Sequence, residues 1–503
     1  MKHCIFLIMI LMMIVAVPAF AQDYRLINTG RTALFSDENF EIKCIRIDSV
    51  HTEISEGGEG IDSVFYPMGN IQFSTHPYTD CATPFGASWT GKKVVVKPDG
   101  EHLFFNKYED TIWIKSSAGL HESWRVYESD VYIIEARVLE HDTMSFLGLT
   151  DSVKIIGFKV HDRNMLPMDH TLNMQTIRIS KHYGAIRILN YYQFPDFEGL
   201  NYGFVDEYLT GYELAGLSAP QTGLQNFTWF GVFDFHPGDE IHTLLDESVW
   251  YNEPGEHSLY ERTIKRFLDR EDYPDSLVYT YERKVSIHAV DNSVTSTSFV
   301  HDTATLVIRR NPEFDLLPGE VIIQEGWAWS HFMHGGETPG KTVPTGALGI
   351  WRSLDDSCWT YCCADGCFMD ENYLKGLGGP YGSCSNAFSG GGIEKKLIYY
   401  KKGDKTWGVP YDLTGTEPAR VPLSLRIYPI PASDHLWIES AEGPIREVIL
   451  MDLSGKVMLR QAGSGSKELL LKISHLSPGI FLVKVISGEA EHTSKIVIAR
   501  PAY

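Results

Sequence analysis

Cysteine is the residue type whose spacing in this chain most clearly predicts covalent chemistry. Five cysteines fall within 358–384, a Gly-rich segment with few periodic apolar residues. In an oxidising compartment, disulfide bonds would order such a segment where a hydrophobic core cannot. We predict two bridges inside this cluster, with Cys44 and Cys81 as a candidate third pair. The disulfide candidates are Cys44, Cys81, Cys358, Cys362, Cys363, Cys367 and Cys384.

A metal site is the alternative interpretation of the same cysteine cluster. His331 and His334 precede it in the sequence, and mixed cysteine and histidine ligands suit zinc. An oxidising compartment favours disulfide bonds over free thiolate ligands. We therefore predict disulfide bonds and expect neither a metal nor another cofactor.

A second group of reactive side chains lies in the sequence FDFHPGDEIHT. Its acids and imidazoles are residue types that bind metals or transfer protons. Pro237-Gly238 in the middle indicates a turn between strands, where such side chains commonly bond to the backbone. We predict a structural role for the four residues, which are Asp234, His236, Asp239 and His242.

The segment Gly335–Thr342, GGETPGKT, matches the nucleotide-binding pattern G-x-x-x-x-G-K-T. That pattern binds phosphate only between a buried strand and a helix, whereas Pro344 follows here within two residues. We therefore interpret the segment as a Gly-rich loop. We find no G-x-S-x-G, H-E-x-x-H or EF-hand pattern, but the carboxylate pair of a glycoside hydrolase has no fixed sequence spacing.

The elements that must position these residues show a period of two. Short β-branched or aromatic runs bounded by Gly, Pro, Asn or Asp indicate strands. The predicted strands lie in WIKSSAG, SWRVYESDVYIIEARV, DSVKIIGFKV, AIRILNYY, SLVYTYERKVSIHAV and TATLVIRR. Because no alternation of strands with helices is visible, we predict an all-β or β-dominated body of antiparallel sheets.

Two local features refine this prediction. Glu128-Ser129-Asp130 divides two apolar runs, which predicts a hairpin with a three- or four-residue connection. The best helix candidate is Ser258–Arg270, although its residues equally fit a strand flanked by charge.

Turn-forming and proline-rich segments predict the domain boundaries. Small residues at Ala215–Gly223 divide the body into units 22–215 and 223–414, the second of which contains the Cys/Gly-rich segment 358–392. Two prolines in 415–424 indicate an extended linker. The last predicted domain is 425–503.

The composition restricts the partners. The 503 residues contain 44 Lys and Arg against 65 Asp and Glu, which gives a net charge of −21. Such a chain repels phosphate backbones, and no basic stripe reverses this locally, so nucleic acid is excluded as a partner. Aromatic residues make up 12 %, which is typical of β-rich proteins and also suits stacking on carbohydrate.

The N-terminus has the pattern of a removable export signal. Lys2 precedes the apolar run Ile5–Val17, and Ala19-Phe20-Ala21 forms a small-residue cleavage site. We predict a signal peptide at 1–21, with cleavage between Ala21 and Gln22. The apolar run is too short to span a bilayer, and we expect no transmembrane segment in the mature chain.

Four motifs follow one another near the C-terminus, in an order typical of a small β-sandwich. The first has prolines that end a strand in a rigid turn, the second is a hairpin turn, the third is a turn with its strand, and the fourth is a closing strand. Their residues are Tyr428, Pro429, Pro431 and Asp434; Asp452 and Gly455; Leu476, Gly479 and Phe481; and Lys495.

This series resembles the C-terminal sorting domain of the type IX secretion system. The sequence departs from the family at Ile430, where Asn is usual, and at Phe481, where Tyr is common. The resemblance implies a Greek-key-like β-sandwich that is recognised by the type IX translocon and its sortase. It further implies passage through the periplasm, cleavage near the linker, and release or attachment to surface glycolipid, so that the protein is extracellular or on the outer cell surface.

The body is then cargo, and two classes of function stay open for it. The absence of a compact catalytic motif favours a binding or structural protein over an enzyme. Aromatic and Gly-rich loops such as GWAWSHFMHGG and YLKGLGGPYGS would contact its polymer or partner. The alternative is a secreted hydrolase whose active site has no recognisable sequence pattern.

Overall fold

The computed structural model describes residues 24–55, 60–73, 82–195, 211–250, 256–291, 294–344, 351–355, 358–361, 370–385, 392–413, 425–440, 443–452, 456–463, 465–487 and 490–499. Nearly all regular structure within them is antiparallel β, which confirms the predicted fold class. The predicted signal peptide 1–21, its cleavage site Ala21–Gln22 and the linker 415–424 lie outside the described residues.

The strands before residue 225 are β1 Ala33–Ser36, β2 Ile42–Ile45, β3 Ile47–Ile54, β4 Ile61–Pro67, β5 Gln72–Phe73, β6 Ala82–Thr83, β7 Val94–Val96, β8 Glu101–Phe105, β9 Thr111–Lys115, β10 Ser123–Glu128, β11 Tyr132–Phe146, β12 Leu149–Asp162, β13 Thr176–Ser180, β14 Gly184–Leu189, β15 Gly211–Ser218 and β16 Gln221–Gly223. A 3-10 turn lies at Thr171–Met174, and the short helix α1 spans Trp229–Val232.

The next strands are β17 Glu240–Trp250, β18 Glu256–Asp272, β19 Ser276–Asp291, β20 Val294–Arg309, β21 Val321–Gln324, β22 Trp327–Ser330, β23 Phe332–His334, β24 Gly340–Val343, β25 Trp351–Asp355, β26 Cys358–Tyr361, β27 Glu371–Leu374, β28 Gly378–Ser385, β29 Gly392–Lys402 and β30 Lys405–Gly408. The C-terminal strands are β31 Leu425–Tyr428, β32 His435–Ser440, β33 Ile445–Met451, β34 Val457–Ala462, β35 Glu468–Lys472, β36 Gly479–Ser487 and β37 Ala490–Ile498.

The chain divides into two compact units that interleave along the sequence. The first unit runs to Asp234 and also contains Tyr273–Leu277 and Ile308–Cys384. The second consists of Phe235–Asp272, Val278–Val307 and the chain from Ser385 onward. This division differs from the predicted boundary at 215–223, which is a hairpin of the first unit.

That hairpin explains why its residues are small. Strands β15 and β16 pair around a turn at Ala219-Pro220. A Cβ atom on Gly216 would lie 1.7 Å from the carbonyl oxygen of Leu224, so only glycine allows this close backbone approach. The small residues therefore allow tight strand packing at this hairpin.

The first unit has one large core shared by two of its sheets. Strands β10 to β15, followed by β1 and β2, form one sheet, and β3, β4, β7, β8 and β9 form another. Apolar side chains of both sheets belong to one cluster, for example Phe104 and Ile112 with Ile134 and Ile156. Such burial is the main favourable term in folding. The predicted hairpin is confirmed, since β10 and β11 pair across the three residues 129–131.

Two smaller groups of strands in the first unit carry the site described below. Strand β22 lies between β21 and β25, and the neighbouring β26 pairs with β6. Strand β24 lies between β23 and β27, and β28 follows β27.

In the second unit, strands β20, β19, β18, β17 and β29 pair in that order, with β30 beside β29. The helix considered for Ser258–Arg270 is wrong, because this segment is part of β18. Its Thr263 and Phe267 are both buried four residues apart, and the Phe267 ring stacks on Phe235 at 4.1 Å. Residues an even number apart share one face of a strand, and this places both side chains in the core.

The C-terminal strands form two sheets with a core of their own. One sheet has the order β31-β32-β35 and the other β34-β33-β36-β37. Between them pack alternate residues of each strand, among them Leu436, Leu471, Val448 and Val485. The chain crosses between the sheets three times, as in Greek-key sandwiches.

Candidate functional site

The first unit contains a cleft with a volume of about 460 Å³ and an unusually aromatic lining. This volume lies within the range of small-molecule sites, roughly 300–1,000 Å³. Its aromatic residues are Trp229, Phe314, Trp327, Trp329 and Tyr373, and its polar ones are Asn311, Glu313, His331 and Glu371.

Strand geometry places two of the tryptophans. Trp327 and Trp329 alternate along β22 with the fully buried Ala328, so both indoles lie on the same face of the strand. Each is half-buried. The two indoles therefore present part of their surface to the cleft from a fixed backbone.

Helix α1 places the third tryptophan. The side chain of Thr228 caps the helix by accepting a hydrogen bond from the N–H of Gly231. The N–H of Trp229 donates to the carboxylate of Asp315 at 2.7 Å. The Trp229 ring then packs edge-on against Phe314 and Tyr373, at 5.1 and 5.0 Å between centroids. These contacts make the aromatic wall rigid.

Carboxylate and imidazole groups lie among these rings. The hydroxyl of Tyr373 donates to Glu371 at 2.5 Å, and burial together with this carboxylate raises the pKa of Tyr373. Burial, assisted by the charge of Lys341, lowers the pKa of His331 to about 4. His331 is therefore neutral at neutral pH. Its buried Nδ1 has no hydrogen-bond partner among the described residues.

Lys341 lies behind the cleft as a buried structural cation. Its Nζ donates to the carbonyl oxygens of Phe314 and Leu316 at 2.7 and 2.8 Å, and to that of Phe227 at 3.3 Å. It also lies 4.8 Å from the centre of the Phe314 ring. Burial lowers the pKa of Lys341 to about 7. The part of the GGETPGKT segment around it is strand β24 and not a loop, so the lysine is committed to backbone carbonyls.

The group in FDFHPGDEIHT forms the predicted turn. Asp239 accepts a hydrogen bond from the N–H of His236 at 2.8 Å, and the N–H of Asp239 donates back to the carbonyl of His236 at 3.0 Å. Buried His242 contacts Glu240 at 2.7 Å, and its Nδ1 accepts from the N–H of Tyr411 at 2.8 Å. These groups bond to the backbone and to each other. In the described ranges, no three His, Cys, Asp or Glu residues are arranged to hold a metal ion.

The structure describes the side chains of two of the seven cysteines predicted to form disulfide bonds, Cys44 and Cys384. Cys44 is a free, buried thiol whose pKa burial raises to about 12, in contrast to the predicted pair with Cys81. Its backbone carbonyl accepts a hydrogen bond from Trp89 within the core. Cys384 is disulfide-bonded, and its partner lies outside the described side chains. The side chain of Cys358 and all of Cys81, Cys362, Cys363 and Cys367 also lie outside what is described, so the connectivity stays a prediction.

The C-terminal motif residues lie at the turns of the sandwich. Strand β31 ends at Tyr428, and the Pro429 and Pro431 turn leads to Ala432, which pairs with Ile498 of β37. The N–H of Ala432 donates to Val497 at 2.8 Å, so the first and last motifs are bonded to each other. The carbonyl of Asp434 accepts from Ile473 at 2.8 Å.

The other motif residues also lie at turns or on the strands next to them. Asp452 accepts from the N–H of Lys456 at 3.0 Å and closes a turn, whose Gly455 lies outside the described residues. Leu476 and Phe481 are buried, and Gly479 begins β36. Lys495 lies on β37 opposite Leu482. The sequence signal is thus largely a signal of turn geometry.

An outward row of apolar side chains crosses the smaller C-terminal sheet. Tyr428 of β31 pairs with Trp437 of β32, and Trp437 pairs with Leu470 of β35. All three are about two-fifths exposed, at 42, 39 and 41 %. Their neighbours Leu436, Ile438, Leu469 and Leu471 are buried on the opposite face.

Comparison with known proteins identifies the C-terminal part. Residues 426–499 match the family model described as the secretion system C-terminal sorting domain. The rest of the chain matches no family model, and no curated protein matches the sequence. No helix in the described ranges is long and apolar enough to cross a membrane. The C-terminal sandwich is therefore a type IX sorting domain, and it indicates export to the cell surface or the extracellular space.

The sequence pointed to part of the cleft and missed the rest. GWAWSHFMHGG supplies Trp327, Trp329 and His331, and YLKGLGGPYGS supplies Tyr373, but these segments are largely strands and not the expected loops. Trp229 and Glu313 were not expected to take part. The i, i+2 spacing of the tryptophans was the available signal, whereas only strand pairing brings the other residues to them.

Proposed function

We propose that this protein is a binding protein delivered to the outer cell surface or the medium by its type IX sorting domain. The observation that carries the export route is the match of residues 426–499 to that domain, and the aromatic cleft of the first unit supports the binding function. The complete two-sheet sandwich with its own core supports the export route. The body in front of the sandwich is then the passenger.

The route that we propose begins with removal of residues 1–21 between Ala21 and Gln22. The passenger folds in the periplasm, and the translocon recognises the sorting domain. The sortase then cuts near 415–424, and the product is released or joined to surface glycolipid. The separate core of the sorting domain supports this order, since removing it leaves the passenger cores intact.

We propose that the row Tyr428, Trp437 and Leu470 contacts the translocon. Exposed aromatic and aliphatic residues that touch across a sheet are an unusual feature of a solvated surface and common at protein interfaces. The row starts at the first motif of the sorting domain. The hydroxyl of Tyr428 donates to Glu439, which holds one end of the row in place.

We further propose disulfide bonds among the six mature cysteines other than Cys44. Because Cys44 is a free thiol, an even number is left to pair. The antiparallel pair of Ala82 and Trp359 holds strand β6 beside strand β26, which begins at Cys358. The nearness of these two segments supports a bridge between Cys81 and the cluster in place of the Cys44–Cys81 pair. An oxidising periplasm would supply the bonds.

A secreted glycoside hydrolase is the second candidate. Glu313 and Glu371 line the same cleft, and glycoside hydrolysis uses two carboxyl groups on either side of the bond that is cut. A panel of chromogenic glycosides tests this candidate with purified protein. Hydrolysis of a glycoside by the wild type that disappears in both Glu313→Gln and Glu371→Gln would show that the protein is a hydrolase and not a binding protein.

A reporter fusion tests the proposed export. A secreted reporter is given residues 1–24 of this chain at its N-terminus, with or without residues 414–503 at its C-terminus, in a cell that has the type IX system. We expect the reporter with the C-terminal segment on the surface or in the medium, and the other in the periplasm. Equal distribution of the two would refute the proposal.

A further inference from the structure

We infer that the aromatic cleft of the first unit binds a neutral saccharide. This inference rests on the proposed binding function of the passenger and names its ligand class. It goes beyond the export route, because the sorting domain takes no part in it. The cleft is the place in the described chain where half-exposed aromatic rings, carboxylates and a buried imidazole meet.

The aromatic lining suits the flat, apolar faces of sugar rings. Trp327 and Trp329 present two indoles from the same face of β22, spaced by two residues, or about 7 Å along a strand. Neither indole has to move to offer a surface, since both are half-buried on a paired strand. Trp229, held against Phe314 and Tyr373, adds a third ring plane. Rigid rings lose little entropy when they bind.

The polar lining suits hydroxyl groups. The carboxylates of Glu313 and Glu371 accept hydrogen bonds, and the amide nitrogen of Asn311 donates them. His331, which is 3 % exposed, has a buried Nδ1 without a partner among the described residues. Because this Nδ1 is fully buried, Glu313, Glu371 and Asn311 are the groups left to bond ligand hydroxyls. A few polar groups among apolar walls are the usual composition of a specific small-molecule site.

The electrostatics favour a neutral ligand over a charged one. An aromatic cage with carboxylates also suits a quaternary ammonium group. Here, however, the Nζ of Lys341 already lies 4.8 Å from the centre of the Phe314 ring, so an amine of the protein itself already occupies one face of this ring. Anions are disfavoured by Glu313 and Glu371. A polyhydroxylated ligand without charge avoids the unfavourable interactions that a cation or an anion would meet in this cleft.

The test uses the full-length protein and calorimetric titration with neutral hexasaccharides of glucose, xylose and mannose, after a glycan array has ranked them. Choline and an acidic oligosaccharide serve as charged probes. We expect saturable binding of a neutral saccharide, and a loss of about tenfold or more in Trp327→Ala and in Trp329→Ala. Trp329→Phe, which keeps an aromatic ring, should retain part of the affinity.

The control variant is Trp407→Ala, which removes an exposed tryptophan of β30 in the second unit. It should bind like the wild type, and near-ultraviolet circular dichroism confirms that each variant is folded. Absence of binding to every neutral saccharide, saturable binding of choline alone, or equal affinity of the tryptophan variants would overturn the inference. Choline binding would leave a binding passenger in place, and cell fractionation of the Trp327→Ala strain reports export independently of the ligand.

Discussion

Lys341 occupies the lysine position of a nucleotide-binding pattern, but its surroundings give it a structural role. Its ammonium bonds to carbonyls that belong to segments far apart in sequence, at Phe227, Phe314 and Leu316. In a phosphate-binding loop the same group would point to solvent at the start of a helix. The residue pattern alone could not separate these cases, although Pro344 argued against a following helix.

Replacing Lys341 should therefore cost stability and leave nucleotide behaviour unchanged. We expect Lys341→Met to lower the free energy of unfolding by roughly 3 kcal/mol, because three buried carbonyls lose their donor. Thermal unfolding measures this, with exposed Lys405→Met as the control. A melting temperature equal to the wild type, or a rise in the wild type on adding magnesium ATP, would contradict the structural role.

His331 predicts a defined pH dependence. Its pKa of about 4 in the folded protein lies below the ordinary value of 6.5, so the unfolded chain binds more protons between these values. Stability is fully present above about pH 6.5 and is lost as the pH falls through about 4. His331→Gln should flatten this decline, by up to about 3 kcal/mol. Urea titrations at several pH values measure it, and exposed His334→Gln should keep the wild-type slope.

Thiol labelling tests the cysteine assignments. Cys44 is buried and has a raised pKa, so we expect it to resist iodoacetamide in the native secreted protein. Denaturant without reductant should expose one thiol, which mass spectrometry maps to Cys44. Reductant should then expose the other six. Seven reactive thiols before reduction would refute the disulfide framework.

Among the elements, the alternation of apolar and polar residues located the strands, but it did not predict which strands pair with each other. The hairpin at 129–131 was visible because both of its strands and its turn are adjacent in sequence. Segment 258–270 was ambiguous because charged residues flank its apolar ones, and only the pairing of β18 with β17 settles it as a strand. The cleft could not be predicted as a site, since Trp229, Glu313 and Tyr373 meet only through long-range pairing.

The outward row of the sorting domain gives a prediction at this scale. Trp437→Ser should reduce surface delivery by about half or more while leaving the sandwich folded, because the side chain is exposed on an outer face. Met458→Ser is a matched control, since Met458 is also 39 % exposed, on the other sheet. Quantitative immunoblots of surface and cell fractions give the result. Equal delivery of both variants would remove the row from the recognition surface.

In the whole molecule, the C-terminal sorting domain and the passenger in front of it are different parts of the chain. The sorting domain was predictable from sequence because its signal consists of turns, at Tyr428–Asp434, Asp452–Lys456 and Leu476–Gly479, which short motifs encode. The division of the body was not predictable, since its units interleave and the small residues at 215–223 serve a tight hairpin. The aromatic cleft likewise depends on strand pairing and not on a motif.

Deleting residues 425–503 from the chromosomal copy tests directly whether this domain directs export. Surface proteolysis and immunoblots of the periplasm, outer membrane and medium locate the passenger. We expect the truncated passenger to stay folded in the periplasm, while full-length protein and its Trp327→Ala variant reach the surface or the medium. Delivery of the truncated passenger in wild-type amounts would contradict this expectation.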